Sequence, residues 1–111
     1  MDKDLAIKKE LENDGQSIFL FFDDFYDLYV AFGLSAYYST MAVDPHLTYS
    51  ANIDMPIAFF SKAQIRIMRQ SLKKVEHTQS HSYVFRTRIP IGKAGYKKWK
   101  NEVKKLHESI I

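Results

Sequence analysis

From Ser17 to Asp54 the chain is crowded with Phe, Tyr, Val and Thr, and it is broken at Asp23-Asp24, Gly33-Leu34 and Asp44-Pro45, at intervals of ten or eleven residues. Aromatic and β-branched side chains suit a pleated, half-buried surface, and Gly, Pro and Asp interrupt it. The segment therefore predicts an antiparallel four-stranded meander, with strands near 17–22, 25–32, 35–43 and 46–54. Gly33 would supply the positive φ of a type II′ hairpin turn. The last strand alternates most cleanly, with Leu47, Tyr49, Ala51 and Ile53 toward a core and Thr48, Ser50, Asn52 and Asp54 away from it. Phe25, Leu28, Tyr29, Phe32 and Ala36 also fit a helical period over 24–40. Strands are preferred there because Tyr, Phe, Val, Thr and a central Gly are poor helix formers.

The flanks read as helices and one more strand. Residues 2–13 predict a short helix, with Asp2 or Asp4 near its start, Ile7 and Leu11 one turn apart, and Asn13-Asp14-Gly15 at its end. Ser61 and Gln64 have the spacing of a capping box just ahead of the stripe Ile65, Met68, Leu72 and Val75, which predicts a helix over 61–77. His77-Thr78-Gln79-Ser80 reads as a loop. Tyr83 to Ile91 alternates as a strand, with Pro90 marking its end or a sheet edge. Tyr96, Trp99, Val103, Leu106 and Ile110 then form the apolar stripe of a C-terminal helix. The expected fold class is α+β: an N-terminal helix, an antiparallel four-stranded meander, then helix-strand-helix, with helices packed on one face of the sheet. At 111 residues the chain has room for one core, so residues 1–111 are expected to be a single domain.

The net charge of +3 conceals a division. Residues 1–54 carry ten Asp and Glu against three Lys, a balance of −7, and residues 55–111 carry thirteen Lys and Arg against three Glu, a balance of +10. Such asymmetry marks either a face that binds a polyanion or two halves that attract each other within the fold. On the helix predicted over 61–77, Arg66, Arg69 and Lys73 follow the i, i+3, i+7 rule and share a face opposite the apolar stripe. On the strand, Arg86 and Arg88 share one side. The C-terminal helix adds Lys93, Lys97, Lys98, Lys100, Lys104 and Lys105. The expected function is a non-enzymatic binding or regulatory module that docks on nucleic acid, with Arg66, Arg69, Lys73, Arg86, Arg88, Lys97 and Lys100 as contacts. Lysines opposite an apolar stripe are routine on any solvated helix, whereas arginines on a strand are not, so Arg86 and Arg88 lead this set. The alternative is a protein-interaction module, an inhibitor or adaptor, whose partner is an acidic protein surface. Nine of the sixteen aromatics lie between Phe19 and Tyr38. Most belong to a core, but Tyr37 and Tyr38 would point to opposite sides of strand 35–43, leaving one of them as a contact for either kind of partner.

Motifs for chemistry are sparse. Without cysteine there is no disulfide, thiolate metal site or thiol nucleophile. Asp23, Asp24 and Asp27 are spaced to hold a divalent cation as clustered carboxylates do in nucleases, and equally to form a turn. His77 and His81 lack a third ligand, and His107 reads as a solvated helix residue. There is no Gly-rich phosphate loop and no G-x-S-x-G. No catalytic residue, metal or cofactor is therefore assigned. Met1-Asp2-Lys3-Asp4 does not resemble a secretory signal, and no apolar stretch approaches the roughly 20 residues that span a bilayer, so a cytoplasmic protein without a membrane partner is expected. A homodimer is left open, because oppositely charged halves suit head-to-tail pairing and the Tyr96-to-Ile110 stripe suits a seam.

The run Phe19-Leu20-Phe21-Phe22-Asp23-Asp24-Phe25-Tyr26-Asp27-Leu28-Tyr29 resembles the segment of the MutS mismatch-reading domain that carries a Phe-x-Glu pair. The resemblance implies that Phe25 is a wedge stacked on a mispaired base and that Asp27 stands at the position of the Glu. It covers about a dozen residues. Asp23 replaces the family's glycine, and the family's Gly-x-Pro is not matched around Met55-Pro56.

Overall fold

The computed structural model describes residues 3–13, 15–77, 83–86 and 93–110. Helix α1 (Lys3–Leu11) leads into strands β1 (Ser17–Asp23) and β2 (Leu28–Phe32). Helix α2 (Gly33–Ser39) follows, then β3 (His46–Ser50) and β4 (Met55–Phe60). The chain continues through α3 (Lys62–Ser71), β5 (Lys73–His77), β6 (Tyr83–Arg86) and α4 (Lys93–Ile110). The strands form one antiparallel sheet in the order β3-β4-β2-β1-β6-β5. The fold is α+β, with helices packed against the sheet. Among the described residues no helix is long and apolar enough to cross a membrane.

Strand periodicity divides the apolar residues between two faces. Ile18 and Leu20 of β1, Tyr29 and Ala31 of β2, Ala58 and Phe60 of β4, and Tyr83 and Phe85 of β6 point one way and meet Ala36 and Tyr38 of α2, Ile65 and Met68 of α3, and Trp99 of α4. Burying each of these large side chains contributes roughly 1.5–3 kcal/mol. Val30, Phe32 and Met55 point the other way, where Ala6 and Ile7 of α1 cover them. Helices α2, α3 and α4 thus share one face, and α1 lies against the other.

Three expected elements differ from those observed. The strand expected at 35–43 is helix α2. Its Ser and Tyr residues have little helical propensity, but contacts distant in sequence hold it. The Glu10 carboxylate accepts hydrogen bonds from Ser35 N (2.9 Å) and Ser35 Oγ (2.5 Å), Tyr38 is only 1% exposed, and Tyr37 packs on Trp99 with ring centroids 5.2 Å apart. Gly33 has the positive φ expected of it, +56°, but spends it on entering α2 instead of on a hairpin. The hairpin turns fall after Asp23 and after Ser50, and each ends on an aspartate in the left-handed region, Asp27 (φ 55°) and Asp54 (φ 52°). The strand expected over 46–54 therefore stops at Ser50, and β4, which was not anticipated, returns beside it. Pro56 is tolerated in β4 because the register with β2 ends at Phe32 and Ile57, so Pro56 is flanked by β3 alone. The helix expected over 61–77 ends at Ser71, and residues 73–77 pair with β6 as β5. The far end of the strand expected over 83–91 lies outside the described residues.

Candidate functional site

Helix α3 begins as its sequence directs. Ser61 Oγ accepts from Gln64 N (3.2 Å) and Gln64 Oε1 accepts from Ser61 N (3.0 Å), a complete capping box. With Ile65 and Met68 turned into the core, Lys62, Arg66 and Arg69 rise along one edge of the helix and line a cavity of about 190 Å³ with Tyr29, Ile65 and Tyr83. The cavity takes its depth from the two tyrosines, both buried and with ring centroids 5.6 Å apart. The Arg69 guanidinium lies 5.9 Å from the centre of the Tyr83 ring, within cation–π range. Burial, with the charge and hydroxyl of Tyr83 adding to it, pushes the Tyr29 hydroxyl above its ordinary value. Among the described residues neither Arg66 nor Arg69 has a carboxylate partner, whereas Lys62 pairs with Asp27 at 3.2 Å. Two guanidinium groups and one ammonium group around a small opening form an arrangement suited to an oxyanion such as a phosphate.

The other expected contacts disperse. Arg86 pairs in register with Ser17 and points to the face opposite Tyr83 and Phe85, away from α3, where its Nη1 donates to Gln16 Oε1 at 3.4 Å. Lys97 is exposed on α4, which packs on α2 and on the β3–β4 side of the sheet. Lys100 is bound to Asp54 at 3.1 Å. Arg88 and the side chain of Lys73 lie outside what the structure describes. Of the seven cations, then, Arg66 and Arg69 are the two that line this cavity. Tyr37 and Tyr38 do not face opposite sides of a strand: on α2 Tyr38 turns into the core, and Tyr37, half-buried, packs against Tyr96 and Trp99.

Lys62, Tyr29 and Tyr83 were missed. Lys62 stands four residues before Arg66, so helical spacing alone could have added it. The tyrosines reach the cavity only through the sheet register.

The charge division is partly internal. Lys62–Asp27 and Lys100–Asp54 each join the basic half to the acidic half, and both carboxylates belong to the left-handed aspartates that end the two hairpins. Asp23 is occupied within its own turn, where Oδ1 accepts from Phe25 N (3.0 Å) and Tyr26 N (3.4 Å). Among the described residues no three His, Asp or Glu side chains gather as a metal site would need. The turn that Asp23 ties holds Phe25 and Tyr26 out in solvent, 86% and 65% exposed, with their rings edge to face 4.8 Å apart. Residues 19–29 thus span the end of β1, the hairpin turn and the start of β2, and residues 24–40 hold that turn, β2 and α2 instead of one helix.

A second polar cavity, of about 240 Å³, lies between α1, the start of α2 and α4, lined by Glu10, Asn13, Gly33, Asp54, Tyr96 and Lys100 among others. Burial pushes the Glu10 carboxyl up to about 7, although hydrogen bonds from Ser35 and Asn13 oppose the rise. Tyr96 is pushed up to about 12, by burial first and then by Glu10. The Tyr49 hydroxyl donates to Asp54, which pushes Tyr49 up to about 12 and, with Lys100, holds the Asp54 carboxyl below its ordinary value. These groups are spoken for by one another. Glu10 caps α2 and Asp54 closes a hairpin, so the cavity reads as a joint between elements.

Searches of protein-family models, curated proteins and solved structures find no match to this chain, so the likeness of residues 19–29 to the mismatch-reading domain stays that of one short segment.

Proposed function

We propose that the protein is a non-enzymatic module that binds nucleic acid through the edge of α3. The observation that carries this reading is the cavity of Lys62, Arg66 and Arg69 over the buried Tyr29 and Tyr83, in which two arginines have no carboxylate partner among the described residues. A phosphate seated there exchanges counterions for fixed cations, so binding weakens as salt rises, with a slope of about −0.9 per phosphate contacted. Labelled DNA and RNA titrated at low salt test it. Measurable binding is expected that Arg66→Ala with Arg69→Ala reduces severalfold and Arg86→Ala leaves in place. Absence of binding at low salt, or binding indifferent to the double substitution, overturns it.

The exposed Phe25–Tyr26 pair favours a second reading, an adaptor or inhibitor that uses aromatics at a protein interface. A stoichiometric protein partner that survives high salt supports this second reading. Co-purifying nucleic acid that high salt strips away supports the first.

A further inference from the structure

A groove of about 750 Å³ opens at the end of the sheet where β2 and β3 begin and β4 ends. Its lining is mostly aromatic and apolar: Tyr26, Leu28, Pro45, His46, Phe59 and Phe60. The His46 and Phe59 rings sit 6.2 Å apart and inclined at 41°, one exposed and one half-buried, so they offer ring surface to whatever enters. Polar groups stand at the start of α3. Gln64 Nε2 donates to Asp44 O at 2.8 Å and Gln64 Oε1 accepts from Ser61 N, which leaves the carboxamide one further N–H and one further lone pair. A slot of ring surfaces with a carboxamide at its rim suits a planar heterocycle that has hydrogen-bonding edges.

Charge complementarity says which heterocycle. The groove adjoins the basic cavity: Phe60 of its lining pairs with Tyr29 across the strands, and Gln64 stands on the helix that carries Arg66 and Arg69. Lys62, adjacent to Ser61, stands between them. A ligand that uses both must carry a ring and phosphates. In a duplex the base faces are stacked on one another and closed to a slot of rings, whereas a single strand can turn a base out into it.

Resting on the proposed nucleic-acid reading, we infer that the groove takes an unpaired base of a single-stranded nucleic acid whose neighbouring phosphates lie on Lys62, Arg66 and Arg69. The test compares, at low salt, a short oligothymidine, an abasic oligomer with the same number of phosphates, and the duplex of the oligothymidine with oligoadenine. The oligothymidine is expected to bind at least about fivefold tighter than the abasic oligomer, the size of one base stack, and tighter than the duplex. Tyr26→Ala with His46→Ala, both exposed side chains whose loss leaves the fold intact, is expected to abolish that preference without weakening the abasic oligomer. Arg66→Ala with Arg69→Ala weakens both alike. Equal binding of the abasic oligomer or of the duplex, or a preference that survives the Tyr26 and His46 changes, overturns the inference while leaving the nucleic-acid reading standing. If no oligomer binds at all, that reading falls and the inference with it.

Discussion

Glu10 makes the stability of this fold depend on pH in a direction opposite to that of most carboxylates. Its side chain is only 4% exposed, and burial pushes its carboxyl from 4.5 up to about 7. In the unfolded chain the group ionises near 4.5; in the folded chain it keeps its proton until about 7. Between those values unfolding releases a proton, so stability falls as pH rises. The contribution is fully present below pH 4.5 and lost as pH passes through about 7. At 1.36 kcal/mol per pH unit the gap amounts to about 3 kcal/mol. Glu10→Gln keeps the shape and an acceptor for Ser35 N but cannot ionise. Urea unfolding of both proteins at pH 4.5 and pH 8 is the assay. Wild type is expected to lose about 3 kcal/mol relative to Glu10→Gln across that interval. A constant difference, or a wild type that gains on the variant as pH rises, would show that Ser35 and Asn13 hold the carboxylate charged and would refute the reasoning.

Three further outcomes follow from the packing. Gly33→Ala places a Cβ 3.3 Å from Glu10 Cγ at φ +56° and is expected to cost about 1–2 kcal/mol, read from the urea midpoint. Phe60→Ala empties a fully buried site and should cost about 3–5 kcal/mol, whereas Phe25→Ala, at the exposed turn, should change stability by no more than about 0.5 kcal/mol. In ultraviolet titration two tyrosines, Tyr49 and Tyr96, should ionise only near pH 12, and Tyr49→Phe should remove one of them.

What could be read from the chain was what depends on neighbours in sequence. The Ser61–Gln64 capping box, the first strand and the C-terminal helix follow from local spacing and appear where they were expected. What could not be read depends on partners far away in sequence. Residues 33–39 are helical because Glu10, more than twenty residues earlier, caps Ser35 and because Tyr38 fills the core. Strand β4 carries a proline that argues against a strand until the end of its register with β2 is known. Residues 73–77 continue the apolar stripe of α3 but pair with β6 instead. The site divides in the same way. Arg66 and Arg69 share a helix edge by spacing alone, whereas the tyrosines beneath them arrive from two strands and Arg86 departs because one residue of register separates the two faces.

The central claim, that the α3 edge is where a phosphate backbone lies, is tested most directly by amide chemical-shift mapping of the protein with a short single-stranded oligonucleotide at low salt. Perturbations are expected to concentrate at residues 61–69, around Tyr29 and Tyr83, and at the turn of residues 24–27. Perturbations centred on Gln16 and Arg86, or on the lysines of α4, would contradict it.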